Sequence, residues 1–501
     1  MKKLLIANRW EIAVRVIRAA REMGIRTVAV YSVADRDAMH VQLADESVFI
    51  GASEPSQSYL DMSKVIAAAT SSGADAIHPG YGFLSERAEF AEAVEAAGIT
   101  FVGPPASAMR QLGSKSDAKA LAVREGVPIV PGMFDANATP EQLKKAAGEI
   151  GYPVMLKASA GGGGRGMRVV NDPESFESEL AIASDEALKG FGDGTMMVEK
   201  RVHRPRHIEV QILADNHSNV APLFERECSL QRRHQKLVEE APSIALERGV
   251  VLWEDMREAA VKLIKAAGYR NAGTVEFMVD EASGEFYFLE VNARLQVEHP
   301  VTEMVTGLDL VQWQLRVASG EKLDFASALV SGDRSALTGH AIEVRIVAED
   351  PARNFLPSVG KIVAWAEPKT PGIRIDTGYG PDAEIPRFYD SLIAKVIAHG
   401  ATRADAIKRL KLALLDFHIL GVQTNIAYLL ELIDHPMFLA GDFDTGFLGR
   451  EFGTWHQSAP PPELGALLSL GSPPKESQAA AATGAWALGD GFRNAKAQES
   501  H

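Results

Sequence analysis

Polar side chains recur at every second position of residues 290–298. They are Glu290, Asn292, Arg294, Gln296 and Glu298. Because residues two apart in an extended chain share a face, we expect carboxylates, amides and a guanidinium to point into one space. The aromatic run just before them, residues 285–289, favours a strand. The stretch therefore predicts a strand that presents both signs of charge to a ligand.

An upstream segment, Gly273–Asp280, is predicted to be the partner strand. In a hairpin centred on Ser283, Glu276 lies opposite Glu290. Opposed side chains are about 4.5–5.5 Å apart at Cβ, where like charges repel. A Mg²⁺ ion between them would relieve the repulsion, because it takes carboxylate and phosphate oxygens. Two unrelated solvated glutamates are the alternative, but the other charged residues in the same register favour the metal.

A glycine-rich loop, residues 158–166, lies between two predicted strands, Pro153–Lys157 and Met167–Val170. Glycines let successive backbone N–H groups face one anion. Three of them match the spacing of the dinucleotide fingerprint, but that fingerprint opens a helix, which argues against a nicotinamide dehydrogenase. The context favours a flap over a triphosphate, comparable to the glycine loop of kinases. A flexible surface hairpin is the alternative.

Two other stretches carry many polar groups. Residues 225–236 are dense in hydrogen-bond donors and have little apolar patterning, so their composition alone indicates a solvated face. Residues 340–347 alternate, which places Glu343 and Arg345 on one face of a predicted strand.

The elements that must position these groups fall into three units and a tail. Residues 1–113 alternate strand and helix, which predicts a Rossmann-like parallel sheet with ligand-binding loops at the carboxyl ends of its strands. Residues 114–335 form a second unit, with a smaller lid-like part at about 132–203. Residues 336–452 are predicted to be mixed α+β, and residues 453–501 are linker-like. The fold class is therefore α/β and α+β, in several domains.

The bulk composition narrows the function classes. A chain of 501 residues fits about three domains. Its net charge of −14 argues against a general nucleic-acid binder. The single cysteine, Cys228, excludes an internal disulfide and a cysteine-based zinc cluster. The N-terminal apolar run is too short for a signal peptide or a membrane span, so we expect a cytoplasmic protein with no membrane partner.

In its motifs the chain resembles the biotin carboxylase component, or α subunit, of biotin-dependent acyl-CoA carboxylases, which belong to the ATP-grasp superfamily. The motifs run in order from residue 1 to about 450. They are Ala7-Asn-Arg with Glu11-Ile-Ala13, His78-Pro-Gly-Tyr-Gly-Phe83, the glycine loop with Lys157, Gln231-Arg-Arg-His-Gln-Lys236, Glu290 to Pro300, and Ala348-Glu-Asp-Pro351.

The resemblance implies an ATP-grasp second domain with a mobile lid, and a ligase. Its reaction converts ATP, bicarbonate and carrier-bound biotin through carboxyphosphate into carboxybiotin, ADP and phosphate, with Mg²⁺ or Mn²⁺. For ATP it implies Lys115, Lys157, Gly162, Gly163, Gly164, Glu199, Lys200, Val202, His207, Gln231 and His234. For the metal it implies Glu276, Glu290 and Asn292. For bicarbonate and biotin it implies Lys236, Arg294, Gln296, Val297, Glu298, Arg345 and Tyr81. Four of these are expected to be catalytic, namely Glu298 as base, Arg345 beside the biotin enolate, Arg294 and Lys236.

Two features concern partners and departures from the family pattern. Trp10 replaces the glycine that this family usually has between Arg9 and Glu11, so its ring must find a pocket or displace its neighbours. No biotinylation sequence is present, so the resemblance implies a separate biotin carboxyl carrier and a carboxyltransferase subunit. It also implies a homodimer or larger assembly, with Arg15, Arg18 and Glu22 as contact candidates. Residues 485–493 resemble the start of the next domain of longer α subunits.

Two rival functions stay open at this point. The first is another ATP-grasp ligase, which would join a carboxylate to an amine and would lack the bicarbonate face at Arg294 and Glu298. The second is a catalytically silent ATP-binding scaffold, for which Trp10 is the only support.

Overall fold

The computed structural model describes residues 1–135, 137–159, 167–233 and 235–456. The predictions made for Gly162, Gly163, Gly164, His234 and the tail beyond residue 456 lie outside these ranges. Within them, no helix combines the length and the apolar character that a membrane crossing needs.

A five-stranded parallel sheet forms the N-terminal part, as the alternating pattern predicts. Its strands lie in the order β3-β2-β1-β4-β5. The bounds are β1 Lys3–Ile6, β2 Arg26–Ser32, β3 Glu46–Gly51, β4 Ala76–His78 and β5 Thr100–Phe101. Leu4, Leu5 and Ile6 of the central strand are fully buried, because helices cover both faces of a parallel sheet. The edge strand β3 escaped prediction; its exposed residues are Ser47 and Phe49, so its sequence lacks a simple alternation of apolar and polar residues.

Five helices accompany this sheet. They are α1 Trp10–Glu22, α2 Met39–Leu43, α3 Met62–Ser72, α4 Ala88–Ala96 and α5 Ala106–Gly113. Helix α3 shows how the sequence sets the ends. The Asp61 carboxylate accepts the Lys64 backbone N–H at its start, and Gly73 adopts a φ of +68° after its end.

Trp10 finds a pocket at the turn between β1 and α1. Its ring is 6% exposed and stacks on Tyr379, with 3.7 Å between ring centroids and 8° between planes. Its Nε1–H donates to Asp35 Oδ1 at 2.7 Å. The backbone φ of Trp10 is +48°, a conformation that favours glycine. The tryptophan is therefore strained in its backbone and well packed in its side chain.

A small antiparallel sheet of four strands follows, in the order β6-β9-β7-β8. The bounds of this part are α6 Lys115–Arg124, β6 Gly132–Met133, α7 Pro140–Ile150, β7 Val154–Ala158, β8 Met167–Val170, α8 Phe176–Phe191 and β9 Met196–Lys200. Lys157 pairs with Met167, so the glycine-rich segment connects two adjacent antiparallel strands. The two strands predicted on either side of this segment are confirmed. Val154, Leu156, Phe176 and Val198 belong to a core of its own under this sheet.

The rest of the chain builds a larger sheet and its covering helices. The strands are β10 Pro205–Ala214, β11 Val220–Arg232, β12 Gln235–Ala241, β13 Asn271–Asp280, β14 Phe286–Asn292, β15 His340–Val347, β16 Glu349–Asp350, β17 Leu356–Pro357, β18 Gly360–Lys361, β19 Ala364–Ala366, β20 Ile373–Thr377, β21 Glu384–Ile385, β22 Leu392–Gly400 and β23 His418–Leu420. The helices are α9 Ile244–Glu247, α10 Trp253–Ala266, α11 His299–Thr306, α12 Leu310–Ala318, α13 Ser327–Ser331, α14 Arg403–Asp416, α15 Ile426–Asp434, α16 Pro436–Ala440 and α17 Phe447–Glu451.

Eight of these strands form one antiparallel sheet, in the order β14-β13-β10-β11-β12-β15-β22-β20. Strand β12 pairs with β15, with Val238 opposite Val344. The sheet therefore runs without a break from the predicted nucleotide-binding part into the C-terminal part.

The expectation of a solvated face at residues 225–236 is wrong for strand β11. Glu225, Arg226 and Glu227 are at most 1% exposed. Each finds a partner inside: for example, Arg226 Nε donates to Glu209 Oε1 at 2.5 Å. These charges can be buried because residues on neighbouring elements pair with them. The sequence of one segment does not reveal those partners.

Candidate active site

The predicted pair of glutamates lies where the hairpin model placed it. Glu276 on β13 is directly opposite Glu290 on β14. Asn292 Nδ2 donates to Glu276 Oε1 at 2.8 Å. Burial and the neighbouring charge of Glu276 raise the pKa of Glu290 above its usual value. A divalent cation would remove that repulsion, and the carboxylate and amide oxygens here are ligands that Mg²⁺ accepts. The residues present therefore fit the metal.

The alternating strand ends earlier than its sequence suggests. Strand β14 stops at Asn292, and residues 293–298 have no regular structure. Arg294, Gln296 and Glu298 therefore do not share a face through the pleat, and that part of the expectation is wrong. Contacts bring them together instead. Arg294 donates to Gln296 Oε1 at 2.8 Å, and Gln296 Nε2 donates to Glu276 Oε1 at 3.2 Å.

Lys236 is the centre of the site. Its Nζ lies 2.5 Å from Glu209 Oε2, 2.9 Å from Glu276 Oε1 and 2.6 Å from Glu298 Oε1. Burial alone would lower the pKa of Lys236, but Cys228 and these three carboxyl groups hold it well above its usual value. The lysine therefore stays an ammonium ion that an incoming anion can share.

Glu298 is fully buried and held by two cations. Arg345 donates to Glu298 Oε2 at 3.0 Å on the side opposite Lys236. Burial favours the neutral acid, but Lys236, Arg345 and Arg226 hold the pKa of Glu298 well below its usual value. The residue is therefore a carboxylate near neutral pH and can accept a proton.

Behind Arg345 lies a second pair of opposed glutamates, Glu239 on β12 and Glu343 on β15. Both are fully buried. Burial raises the pKa of Glu239 to about 7, with Glu298 adding to the effect and Arg345 opposing it. Burial also raises the pKa of Glu343 well above its usual value. Arg345 contacts the carboxyl groups of both Glu239 and Glu298, so its guanidinium is held between two buried side chains.

The predicted nucleotide residues line the other end of the same cleft, whose volume is about 1010 Å³. Glu199 on β9 is 3% exposed; it contacts Lys157 and lies 2.7 Å from Lys119 Nζ. Burial would raise the pKa of Glu199, but Lys157 and Lys119 hold it below its usual value. Lys115 also lines the cleft. The amino groups of Lys119 and Lys157 thus gather around Glu199, which was itself expected to bind ATP.

Other predicted residues lie along the same cleft. Lys200 Nζ is 3.4 Å from Glu285 Oε2, and Val202 is 7% exposed. His207 Nε2 lies 3.0 Å from Glu276 Oε2, and its Nδ1 is 3.4 Å from Gln231 Nε2. His207 therefore contacts one of the carboxylates proposed to hold the metal, whereas the sequence analysis expected it to bind ATP.

Tyr81 and Arg345 also line this cleft. The Tyr81 hydroxyl donates to the Glu11 carboxylate of helix α1. Val297 directly precedes Glu298, and its carbonyl oxygen accepts a hydrogen bond from Lys395 Nζ at 2.9 Å.

Sequence reasoning missed several residues of this site. Glu86, whose Oε2 accepts from Arg294 Nε at 2.9 Å, lies in a loop with no pattern that points to the cleft. Lys119 was overlooked, although its place in the same helix as Lys115 was a usable signal. Arg226 could have been found, since Glu209 and Gln211 alternate on the adjacent strand and require a buried donor.

Three family models match this chain. Residues 1–109 match the biotin carboxylase N-terminal domain. Residues 114–326 match the ATP-binding domain of the carbamoyl-phosphate synthase L chain. Residues 343–450 match the biotin carboxylase C-terminal domain.

Curated relatives and solved structures agree with these matches. Biotin carboxylase 1 of Bacillus subtilis is 50% identical over 448 residues, which cover 89% of this chain and 98% of that protein. The methylcrotonoyl-CoA carboxylase α subunit of Rattus norvegicus is 50% identical over 447 residues, so this chain spans only 61% of that relative's length.

Among solved structures, the biotin carboxylase–ATP complex of Campylobacter jejuni has a TM-score of 0.82 and 45% identity, covering 90% of this chain and 99% of that one. The biotin carboxylase domain dimer of Hydrogenobacter thermophilus 2-oxoglutarate carboxylase was solved with MgADP, ADP and bicarbonate. It has a TM-score of 0.83 and 44% identity, and covers 91% of this chain and 99% of that one.

Proposed function

Because this chain belongs to the biotin carboxylase family, we propose that it uses ATP and bicarbonate to carboxylate biotin on a carrier, as the first half-reaction of an acyl-CoA carboxylase. The observation that carries the proposal is one cleft that brings two sets of groups together. Lys115, Lys157 and the opposed glutamates Glu276 and Glu290, which suit a metal nucleotide, line it. Lys236 and Arg345 also line it, and they hold the buried carboxylate of Glu298 between them.

At the nucleotide end, each group has a charge that suits its proposed role. Lys115 and Lys157 would neutralise phosphate oxygens, while Glu199 and Lys200 would bind the adenine beside the backbone of Val202. Glu276, Glu290 and Asn292 would hold Mg²⁺ or Mn²⁺, which supplies charge neutralisation for phosphoryl transfer. Positioning and charge neutralisation are the main requirements of that step.

At the bicarbonate end, the guanidinium of Arg294 and the ammonium of Lys236 would bind the anion, with Gln296 and the Val297 backbone beside it. Glu298 would take the hydroxyl proton of bicarbonate, so that the oxygen attacks the γ-phosphorus of ATP and ADP leaves. The product of this step is carboxyphosphate. Because carboxyphosphate reacts with water, we expect water to be excluded from the cleft during the reaction.

The low pKa of Glu298 makes it a weak base while Lys236 and Arg345 both contact it. A bound bicarbonate would draw Lys236 toward its own oxygens, because the lysine has only three N–H donors to share among its partners. The pKa of Glu298 would then rise toward its ordinary value. Substrate binding itself would therefore strengthen the base.

For the second step, Arg345 and Tyr81 would receive biotin. The guanidinium of Arg345, which lines the cleft, would stabilise the developing enolate oxygen. Carboxyphosphate would break down into carbon dioxide and phosphate. The phosphate would take the proton of the ureido nitrogen, and that nitrogen would bond to the carbon dioxide.

The partners follow from the same proposal. The biotin would arrive on a separate carrier domain or protein, and a carboxyltransferase subunit would use the product. In a homodimer, Arg18 and Glu22 are exposed and available for contact. Arg15 is buried and pairs with Glu303 at 2.9 Å within the chain, so it is not proposed as a contact. The expected location remains the cytoplasm.

The test is ADP release with and without bicarbonate and free biotin. Dependence on both is expected, and turnover that ignores both would contradict the proposal. Glu298→Gln should lower kcat about 10²–10⁴-fold while ATP binding persists. Glu258→Gln, on the exposed face of α10, is the matched control with unchanged rates. Full activity in Glu298→Gln would remove the proposed base.

A further inference from the structure

Lys395 is a fully buried lysine at which three parts of the chain meet. It lies on β22, between Asp376 of β20 and Arg345 of β15 as its direct cross-strand neighbours. Its Nζ lies 2.7 Å from Glu11 Oε1 of helix α1. Burying an ammonium ion costs several kcal/mol unless its partners are well placed, so the contacts of this group need an explanation.

The most informative contact is the one to a backbone oxygen. Lys395 Nζ donates to the Val297 carbonyl at 2.9 Å. That carbonyl belongs to the peptide unit that carries the nitrogen of Glu298. Because a peptide unit is planar, a hydrogen bond to its oxygen restricts where the Cα of Glu298 lies, and therefore where its side chain begins.

No sheet ladder holds this part of the backbone. Residues 293–298 lie between the end of β14 and the start of α11, without regular structure. A residue in such a segment depends on individual hydrogen bonds for its position. Lys395 supplies one immediately before Glu298.

Glu11 connects the same lysine to the other side of the cleft. One of its carboxylate oxygens faces Lys395, and the other accepts the Tyr81 hydroxyl. Glu11 is 4% exposed, so water does not compete strongly for either contact. One buried carboxylate therefore orients both the lysine and the tyrosine.

We propose that Lys395 is a positioning residue for Glu298, that it acts through the Val297 carbonyl, and that Glu11 ties it to Tyr81. The base and the tyrosine on the biotin side thus share one buried anchor. This inference rests on the proposed function, because it takes Glu298 as the base.

A purely structural ion pair between the N-terminal and C-terminal parts is the competing explanation. It predicts lost stability without a change in the chemistry of Glu298. Positioning predicts a displaced Glu298 with weaker contacts to its cations, and hence a higher pKa. The charged and titratable groups that face Glu298 are Glu209, Arg226, Cys228, Lys236, Glu239, Arg294, Glu343 and Arg345.

The experiment compares three variants with the wild type. Lys395→Met removes the donor but leaves Glu11 without its cation. The double variant Glu11→Gln/Lys395→Met removes the donor and that charge together, while Asp376 keeps Arg374 at 2.7 Å. Lys411→Met removes an exposed lysine that pairs with Asp434 and is the matched control.

The double variant should unfold within a few degrees of the wild type and bind ATP normally. A displacement of about 1 Å at a reacting group lowers rates about 10²-fold, so kcat/KM for bicarbonate should fall by about that factor. The acidic limb of its pH profile should move to higher pH, because that limb reports the base. Lys411→Met should show none of these changes.

An unchanged acidic limb in the double variant would overturn the proposal, whether the rate is normal or reduced. A rate loss in Lys395→Met that the double variant fully restores would also overturn it and would leave a structural ion pair. Failure of the proposed function is distinguishable, because the wild type would then show no bicarbonate-dependent turnover with biotin.

Discussion

Replacing Trp10 with glycine tests how backbone strain and side-chain packing compare at one residue. The φ of +48° means that glycine would relieve about 1–2 kcal/mol of strain. The stacked, 6% exposed ring argues the other way, because removal of a buried tryptophan typically costs about 3–5 kcal/mol. Packing wins, and Trp10→Gly should lower the free energy of unfolding by about 1–4 kcal/mol.

Thermal unfolding of three variants separates the two effects. Trp10→Ala loses the ring but keeps the strain, so it should be less stable than Trp10→Gly by about 1 kcal/mol, against the usual order of alanine and glycine. Trp10→Phe keeps the stack on Tyr379 and loses only the donor to Asp35. It should cost about 1 kcal/mol, because Arg9 and Tyr59 still donate to that carboxylate.

A Trp10→Gly protein as stable as the wild type would refute this reasoning, and so would an alanine variant more stable than the glycine variant. The scaffold hypothesis stays a separate prediction, namely that ATP binds without turnover and that glycine restores activity. The packing of Trp10 gives no reason to expect such a gain.

Two further predictions concern carboxylates. Glu290→Gln removes one of the opposed charges and should weaken binding of the metal–ATP complex, while metal-free ATP binding changes little. Calorimetric titration with ATP, in the presence and in the absence of the metal, measures both affinities. Equal losses of the two affinities would contradict the metal role. Burial alone would raise the pKa of Glu303, but Arg15 and Arg374 lower it to about 2. Since its unfolded pKa is higher, Glu303 stabilises the fold above that value by about 3 kcal/mol, and this contribution is lost as the pH falls from about 4.5 toward 2. The melting temperature of Glu303→Gln should therefore decline less steeply below pH 5 than that of the wild type, and parallel curves would refute the assignment.

The pairing of Glu276 with Glu290 could be predicted because both flank a turn at equal distance, and a hairpin leaves few registers open. The strands on both sides of the glycine-rich segment could also be predicted, since most of their residues are β-branched or otherwise apolar. Both inferences use neighbours along the chain.

The buried charges of strand β11 could not be predicted in the same way. Arg226 and its partner Glu209 are 17 residues apart, and Lys395 lies 98 residues from the carbonyl it binds. A segment that looks solvated by composition is buried when distant elements supply its counter-charges. Similarly, Arg294 and Glu298 lie beyond the end of strand β14. Their side chains are brought together by tertiary contacts, such as the one between Arg294 and Glu86.

The pairing of β12 with β15 has a practical consequence for dividing this protein. A fragment that stops before His340 would leave β12 with a row of unpaired N–H and C=O groups along one side. Such an unpaired strand edge pairs with strands of other molecules. The fragment should therefore aggregate, even though it contains every residue proposed to bind the nucleotide. Among the described residues, the sheet of β6, β9, β7 and β8 pairs with no strand of the eight-stranded sheet. Removing it would therefore leave no strand of the larger sheet unpaired.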